Sequence, residues 1–329
     1  MPVEVFILDS AQVPHAQEVE VEREILRNCA AVHLVHLQTD ADFVQYADRA
    51  AAIILWHQLD LTKSAIARLT VTQVIVRNGV GFENIDIAAA AARGIPVCNV
   101  PDYGTEEVAD HTLTLALALN RRLRPLIEDV ARGNFRWETS APTRRFRGQM
   151  FGIVGCGRIG TAVALRAKAL GLEVRFYDPY VPPGYQKALG VGRCTSLGDL
   201  LSRADYVSLH APLTEETHYM IDTPQLQAMK PSAYLINTAR GAIVRHAALV
   251  EALEQKWIAG AALDVLENEP YGVEPLIRFD NCIVTPHTAF YSQESIAEMR
   301  RTSAQIVRDA LVDKKLTNVV NGVNLPLGV

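Results

Sequence analysis

Gln149-Met-Phe-Gly-Ile-Val-Gly-Cys-Gly-Arg-Ile-Gly-Thr161 reads as a short buried strand, a glycine turn and the start of a helix. Gly155, Gly157 and Gly160 have the spacing G-x-G-x-x-G. In such a turn the first glycine makes the bend. The second lets backbone amides approach a pyrophosphate, and the third lets the helix pack against the strand. The helix N-terminus then offers unpaired N–H groups and a partial positive charge to an anion. The stretch therefore predicts a dinucleotide site on a parallel α/β sheet.

The residues that follow support this. Ala162 to Leu170 is rich in Ala and Leu and reads as the helix. Glu173-Val-Arg-Phe-Tyr177 reads as the next strand, ending at Asp178. An acid about 20 residues past the glycines hydrogen-bonds the adenosine ribose and repels a 2′-phosphate. NAD is the expected cofactor.

Composition narrows the class. A chain of 329 residues with 49% hydrophobic residues suits two domains. A net charge of −5 gives no sign of a nucleic-acid surface. No segment has the roughly 18 uninterrupted apolar residues of a membrane helix, so neither a nucleic acid nor a membrane is an expected partner. Met1-Pro-Val-Glu-Val-Phe-Ile-Leu8 lacks a basic leader and runs directly into a strand, so no signal peptide is expected. The five cysteines form no CxxC pair. They read as reduced thiols in a cytoplasmic protein, and no metal site is expected.

Upstream of the glycine turn, strands at Val3–Leu8, Val32–Leu37, Ala51–Trp56, Gln73–Arg77 and Ile95–Val100 alternate with helical stretches at Gln17–Cys29, Asp40–Tyr46, Thr62–Leu69 and Ile87–Arg93. This alternation predicts a parallel sheet of its own. Pro101-Asp-Tyr-Gly104 reads as a linker, and Thr105 as the N-cap of a long helix reaching about Leu123. The helix is apolar nearly all round over Leu113–Asn120, so it should be buried on several sides, and a subunit interface is one way to achieve that. Arg132–Arg147 reads as an irregular arm. Beyond the glycine turn, strands are predicted at Tyr206–His210, Ala233–Asn237, Gly260–Val265 and Asn281–Thr285, and a long helix at Ser292–Lys314.

The expected fold is α/β with two Rossmann-like parallel-sheet domains. Residues 1–101 and 293–329 form a flavodoxin-like substrate-binding (catalytic) domain, and 102–292 a doubly wound NAD-binding domain. Ligands in such sheets bind beyond the carboxyl ends of the strands. Arg240, Asp264 and His287 lie just past those ends, and Glu269 sits in Glu267-Asn-Glu-Pro270. A guanidinium is a rigid, permanently charged fork suited to a carboxylate. An imidazole exchanges a proton near neutral pH, and a carboxylate beside it orients the ring. With a nicotinamide beside them, these groups suit hydride transfer to C2 of a 2-oxo acid, His287 protonating the oxygen.

Gly79-Val-Gly81, Gly155-Cys-Gly-Arg-Ile-Gly160, Asn237-Thr-Ala-Arg-Gly241, Ala261-Ala-Leu-Asp-Val265 with Glu267-Asn-Glu-Pro270, and Thr285-Pro-His287 together resemble the motif set of the D-isomer-specific 2-hydroxyacid dehydrogenases. The match runs from about residue 70 to 310. Within that family the chain is most similar to the C-terminal binding protein branch, through Val74-Ile-Val-Arg77, Ala164-Leu-Arg-Ala-Lys-Ala-Leu-Gly171, Phe176-Tyr-Asp-Pro-Tyr180 and Thr285-Pro-His-Thr-Ala-Phe-Tyr-Ser292.

The resemblance implies a homodimer built through the cofactor domains, a cleft that closes over NAD, and a small 2-oxo or 2-hydroxy acid as substrate. It implies Arg240 as carboxylate binder, Glu269 as partner and His287 as acid/base. It places Trp56, His57, Arg77, Gly79, Val80, Gly81 and Phe290 with Arg240 at the substrate. It places Thr105, Arg158, Ile159, His210, Ala211, Pro212, Thr217, Thr238, Ala239, Asp264 and His287 at the cofactor, beside the three glycines and Asp178. Phe290 stands where the branch typically has Trp, and an acid at Glu269, where formate dehydrogenases have Gln, argues against formate. The alternative is an NAD(H)-sensing corepressor-like scaffold, in which closure presents a groove to a peptide.

Overall fold

The computed structural model describes residues 3–269 and 275–324; Pro270 of the Glu267–Pro270 motif lies outside them. The chain forms two compact units, residues 1–103 with 292–329, and residues 104–291.

In the first unit, β1 (Glu4–Ser10), α1 (Glu20–Leu26), β2 (Ala31–Leu37), β3 (Ala50–Leu55), α2 (Lys63–Ile66), β4 (Val74–Arg77), α3 (Ile87–Ala92) and β5 (Val97–Cys98) build a sheet of order β2-β1-β3-β4-β5. Every pairing is parallel. All six residues of β3 and all four of β4 are buried, as expected for strands covered on both faces. Several elements are shorter than the sequence suggests. The helix expected over Gln17–Cys29 begins only at Glu20, because the Glu18 carboxylate turns back to accept the Glu20 N–H at 2.6 Å. The strand expected over Ile95–Val100 is reduced to two residues, preceded by Pro96, which has no N–H to donate. Asp40–Tyr46 winds as a 3₁₀ helix.

The second unit contains α4 (Thr105–Asn120), α5 (Leu123–Ala131), β6 (Met150–Val154), α6 (Arg158–Ala169), β7 (Glu173–Tyr177), α7 (Tyr185–Leu189), β8 (Gly192–Arg193), α8 (Leu197–Arg203), β9 (Tyr206–Leu209), α9 (Thr223–Gln227), β10 (Tyr234–Asn237), α10 (His246–Glu254), β11 (Gly260–Leu263) and β12 (Cys282–Val284). Its parallel sheet has the order β12-β11-β10-β9-β6-β7-β8. The glycine strand β6 is central, and the order reverses there, at the switch point where open α/β sheets bind ligands. Gly104 rather than Thr105 is the N-cap of α4, which corrects the capping assignment. The expected helix stops at Asn120, and Arg122 in a left-handed conformation starts α5, which the sequence pattern did not suggest.

The chain re-enters the first unit through α11 (Gln293–Arg308), opened by a capping box between Ser292 and Ser295. The helix expected to reach Lys314 loosens into a π-helical turn over Asp309–Asp313 and ends at Lys314 with φ +54°. Arg300 of α11 fixes it to α1 through hydrogen bonds to Glu22 at 2.7 Å and to Glu18.

Candidate active site

The glycine turn after β6 is built by close approach. Gly155 has φ +87°, and a Cβ there would lie 2.7 Å from the Ala211 nitrogen. A Cβ at Gly160 would lie 2.1 Å from the Gly155 carbonyl oxygen, so only glycine lets α6 sit on the strand. At Gly157, by contrast, a Cβ would meet nothing within 4 Å. This open cradle at the start of α6 suits a phosphate, and Arg158 beside it is exposed.

Asp178 lies at the end of β7, next to the same turn. Its Oδ2 accepts the Cys156 N–H and its Oδ1 the Tyr180 N–H, both at 2.8 Å. Each oxygen keeps a further lone pair, available to a ribose hydroxyl. Across β6, His210 follows β9 and its Nε2 pairs with the Ser208 hydroxyl at 2.8 Å. Burial pushes His210 down to about 3, so it meets a ligand as a neutral ring. Thr217 Oγ1 donates to Pro212 O at 2.6 Å and shapes the 211–217 loop. Thr105 Oγ1 is buried with no hydrogen-bond partner among the described residues, a donor left for a ligand. Open cradle, ribose acid and orphaned hydroxyl fit an adenine dinucleotide.

The acid–base residues follow three adjacent strands, since Asn237, Leu263 and Val284 are register partners across β10, β11 and β12. Arg240 comes three residues after β10. Gly241 behind it packs so tightly that a Cβ would lie 2.0 Å from the Leu266 carbonyl carbon. That contact joins the turn carrying Arg240 to the loop carrying Glu269. Arg240 donates to Ala239 O at 2.7 Å, and the Asn237 amide donates to Arg240 O at 2.9 Å.

Asp264 is almost fully buried and organises the next loop. Its carboxylate accepts the Thr285 hydroxyl at 2.5 Å, the Thr288 N–H at 3.0 Å and the Ala289 N–H at 2.9 Å. His111 Nε2 lies 3.1 Å from the Thr285 hydroxyl. On this loop His287 has φ +50°, and its Nδ1 is 2.6 Å from Glu269 Oε2. Glu269 Oε1 accepts the Leu266 N–H at 2.8 Å. Burial raises the Glu269 carboxyl, but bonds from His287 and Leu266 and the charge of Arg240 outweigh it and hold it below its ordinary value. Phe290 stands edge-on to His287, ring centroids 6.1 Å apart. Thr238 shares a hydrogen bond with Thr112 at 2.9 Å.

The remaining expected residues belong to the first unit, at the carboxyl ends of β3 and β4. Arg77 folds back to donate to Asn78 O at 2.7 Å. A Cβ at Gly79, φ +138°, would lie 1.9 Å from its guanidinium, so Arg77 lies directly over the glycine. Trp56 is 3% exposed, its indole N–H unpaired among the described residues. It stacks on His15, which lies 4.3 Å from the ring of His57. Asp9 anchors the His15 segment by accepting the N–H groups of His15 and Ala16. Asp9, His15 and His111 are not legible in the sequence, because their pairings span loops and leave no local pattern. Among the described residues, no group of three or more His, Cys, Asp or Glu could hold a metal ion. No helix among them is long and apolar enough to cross a membrane.

Residues 113–289 match the family model described as D-isomer specific 2-hydroxyacid dehydrogenase, NAD binding domain. The chain belongs to this family. C-terminal-binding protein 1 of Caenorhabditis elegans is 34% identical over 323 residues, covering 93% of this chain and 44% of that protein. D-3-phosphoglycerate dehydrogenase of Methanocaldococcus jannaschii is 34% identical over 308 residues, covering 92% of this chain and 58% of that protein. The chain thus spans about half the length of these curated relatives. Among solved structures, D-lactate dehydrogenase of Aquifex aeolicus, complexed with NAD and lactic acid, superposes with a TM-score of 0.85 at 30% identity, covering 97% of this chain and 99% of that one. The matched domain is NAD-binding, and NAD is the expected cofactor.

Proposed function

We propose that the protein is an NAD-dependent D-2-hydroxyacid dehydrogenase that works as a 2-oxo acid reductase. The observation that carries this is the 2.6 Å contact between His287 Nδ1 and Glu269 Oε2, on loops beyond the same strand ends as Arg240. The cofactor, held by Gly155, Gly157, Arg158, Ile159, Gly160 and Asp178, supplies the hydride exchanged with C2. Thr105, His210, Ala211, Pro212, Thr217, Thr238, Ala239 and Asp264 complete its binding.

The chain's own residues do the remaining work. Arg240 holds the substrate carboxylate as a fork. Glu269 accepts Nδ1–H and orients the imidazole, leaving Nε2 to give a proton to the C2 oxygen in reduction and take it back in oxidation. Arg77 and the Gly79, Val80 and Gly81 amides assist at the carboxylate, and Trp56, His57 and Phe290 shape the side-chain pocket. In this reading residues 1–101 and 293–329 serve the substrate, and 102–292 the cofactor.

Incubating the protein with NADH and a panel of 2-oxo acids (glyoxylate, hydroxypyruvate, branched and thioether-bearing acids) tests the proposal. NADH absorbance should fall with at least one of them. No turnover with any would favour the second reading, an NAD(H)-sensing scaffold, which the likeness to C-terminal-binding protein 1 supports.

The same proposal includes a homodimer through the cofactor domain and a cytoplasmic location. Leu123, Ile127 and Val130 are exposed on one face of α5, and Phe135 and Trp137 are exposed just beyond it. All five cysteines are free, which suits a reducing compartment.

A further inference from the structure

The segments after β7 and β9 flank the glycine turn of β6, since β7 and β9 are the two neighbours of that strand. They are joined by a side-chain contact. The Tyr180 hydroxyl donates a hydrogen bond to Glu216 Oε2. The Tyr180 N–H meanwhile donates to Asp178 Oδ1 at 2.8 Å. One residue therefore holds two carboxylates, one with its main chain and one with its phenol. Glu216 also sits in a braced loop. Thr217 Oγ1 donates to Pro212 O at 2.6 Å, and the Thr214 N–H donates to Thr217 Oγ1 at 2.8 Å.

Among the described residues, no ion pair joins a cation to the carboxylate of Asp178 or Glu216. Pro179, Tyr180, Val181 and Pro182 carry none. Arg193 on β8 is the near guanidinium, and its Nη2 is occupied by the carbonyls of Asp178 at 2.7 Å and Val181 at 3.1 Å. The guanidinium lies over the ring of Phe176, 5.7 Å from its centroid. It closes the backbone of this corner from behind.

We propose that Glu216, fixed in place by Tyr180, is a second determinant of NAD over NADP, acting beside Asp178 at the adenosine ribose. An unphosphorylated ribose offers hydroxyl donors, which a carboxylate accepts. A 2′-phosphate brings a charge of roughly −1.5 to −2, by analogy with other phosphate monoesters, against two acids. Both are solvent-accessible, so each contributes a several-fold effect that salt weakens. On this view, removing Asp178 alone leaves part of the discrimination in place.

The inference rests on the family's NAD site, and direct binding of NADH and NADPH to the whole chain tests it without turnover. Titrations by calorimetry or nucleotide fluorescence at low and high salt should compare wild type, Glu216→Gln, Tyr180→Phe, Asp178→Ser and the double variant Asp178→Ser with Glu216→Gln. The quantity read is the ratio of the NADPH Kd to the NADH Kd. Glu216→Gln should lower this ratio about 3- to 10-fold at low salt. Tyr180→Phe, which frees Glu216 without removing its charge, should lower it less, and the double variant should lower it more than Asp178→Ser alone. Added salt should narrow the ratio more in wild type than in Glu216→Gln. A ratio in Glu216→Gln within about two-fold of wild type at low salt overturns the role of Glu216, with the NAD site intact. Failure of wild type to bind NADH would instead remove the cofactor site, and the inference with it.

Discussion

His287 holds a backbone conformation, φ +50°, that costs a non-glycine residue on the order of 1–2 kcal/mol. It is held there by its N–H, which donates to Asp264 O at 2.8 Å and Thr285 O at 3.1 Å. Strain retained beside a charged partner points to function more than to packing. His287→Ala should lower turnover about 10²- to 10⁴-fold, the usual contribution of a general acid, with NADH affinity as the control. A near-normal rate would move the proton to another group. Glu269 makes a separate prediction about pH. Its carboxyl is held below an ordinary value of 4.5, so the stabilisation it provides is complete above pH 4.5 and is lost as pH falls through the depressed value. In Glu269→Gln the loss of stability below about pH 4.5 should be shallower than in wild type. Denaturant unfolding at stepped pH measures this; parallel acid limbs would separate the Glu269 carboxylate from the ion pair assigned to it.

The strand–turn–helix unit of β6 and α6 makes its prediction through geometry. A methyl group at Gly160 has a carbonyl oxygen of the same turn 2.1 Å away, and neither backbone can yield without opening the turn. Gly160→Ala should cost about 1–3 kcal/mol of stability, as overpacking usually does, and weaken NADH binding at the same time. Wild-type unfolding and wild-type affinity together would mean that the turn is not the cofactor cradle. This element was legible because strand, glycines and Asp178 follow one another along the chain. The residues after β10, β11 and β12 were legible for the related reason that strand ends in a parallel sheet share one edge. Other features were not. α5 begins at a left-handed Arg122 and contains Pro125 within its first turn, so it carries neither a usual cap nor a clean start signal. The buried hydroxyl of Thr105, without a hydrogen-bond partner among the described residues, reads as a cap, but Gly104 holds that position. The Tyr180–Glu216 and His15–Trp56 contacts join loops through tertiary structure, where no periodicity reports them.

On the scale of the whole molecule, each unit is a parallel sheet covered by its own helices, with buried apolar clusters packed against it. The exposed apolar residues of the second unit that follow α4 stand apart from that pattern. Leu123, Ile127 and Val130 recur at helical spacing on α5, so they share a face, and Ile127 is 67% exposed. Phe135 and Trp137 follow at 95% and 77%. Single exposed apolar residues need no explanation, but a run of them with two large aromatics marks an interaction surface. Aromatic side chains of this kind anchor interfaces by filling pockets on the partner. A second copy of the chain is the proposed occupant, with two arginines of the arm already engaged at home: Arg136 with Asp129 at 3.0 Å and Arg144 with Asp205 at 3.0 Å. Light scattering across a concentration series should give the mass of two chains for wild type. Ile127→Glu combined with Trp137→Ala should shift it toward one chain, because a charge buried in the joint face has no partner. Helix content should be retained, since α5 keeps its hydrogen bonds and glutamate favours helix more than isoleucine does. A wild-type mass of one chain would remove the dimer, and a variant that stays dimeric would move the interface away from α5.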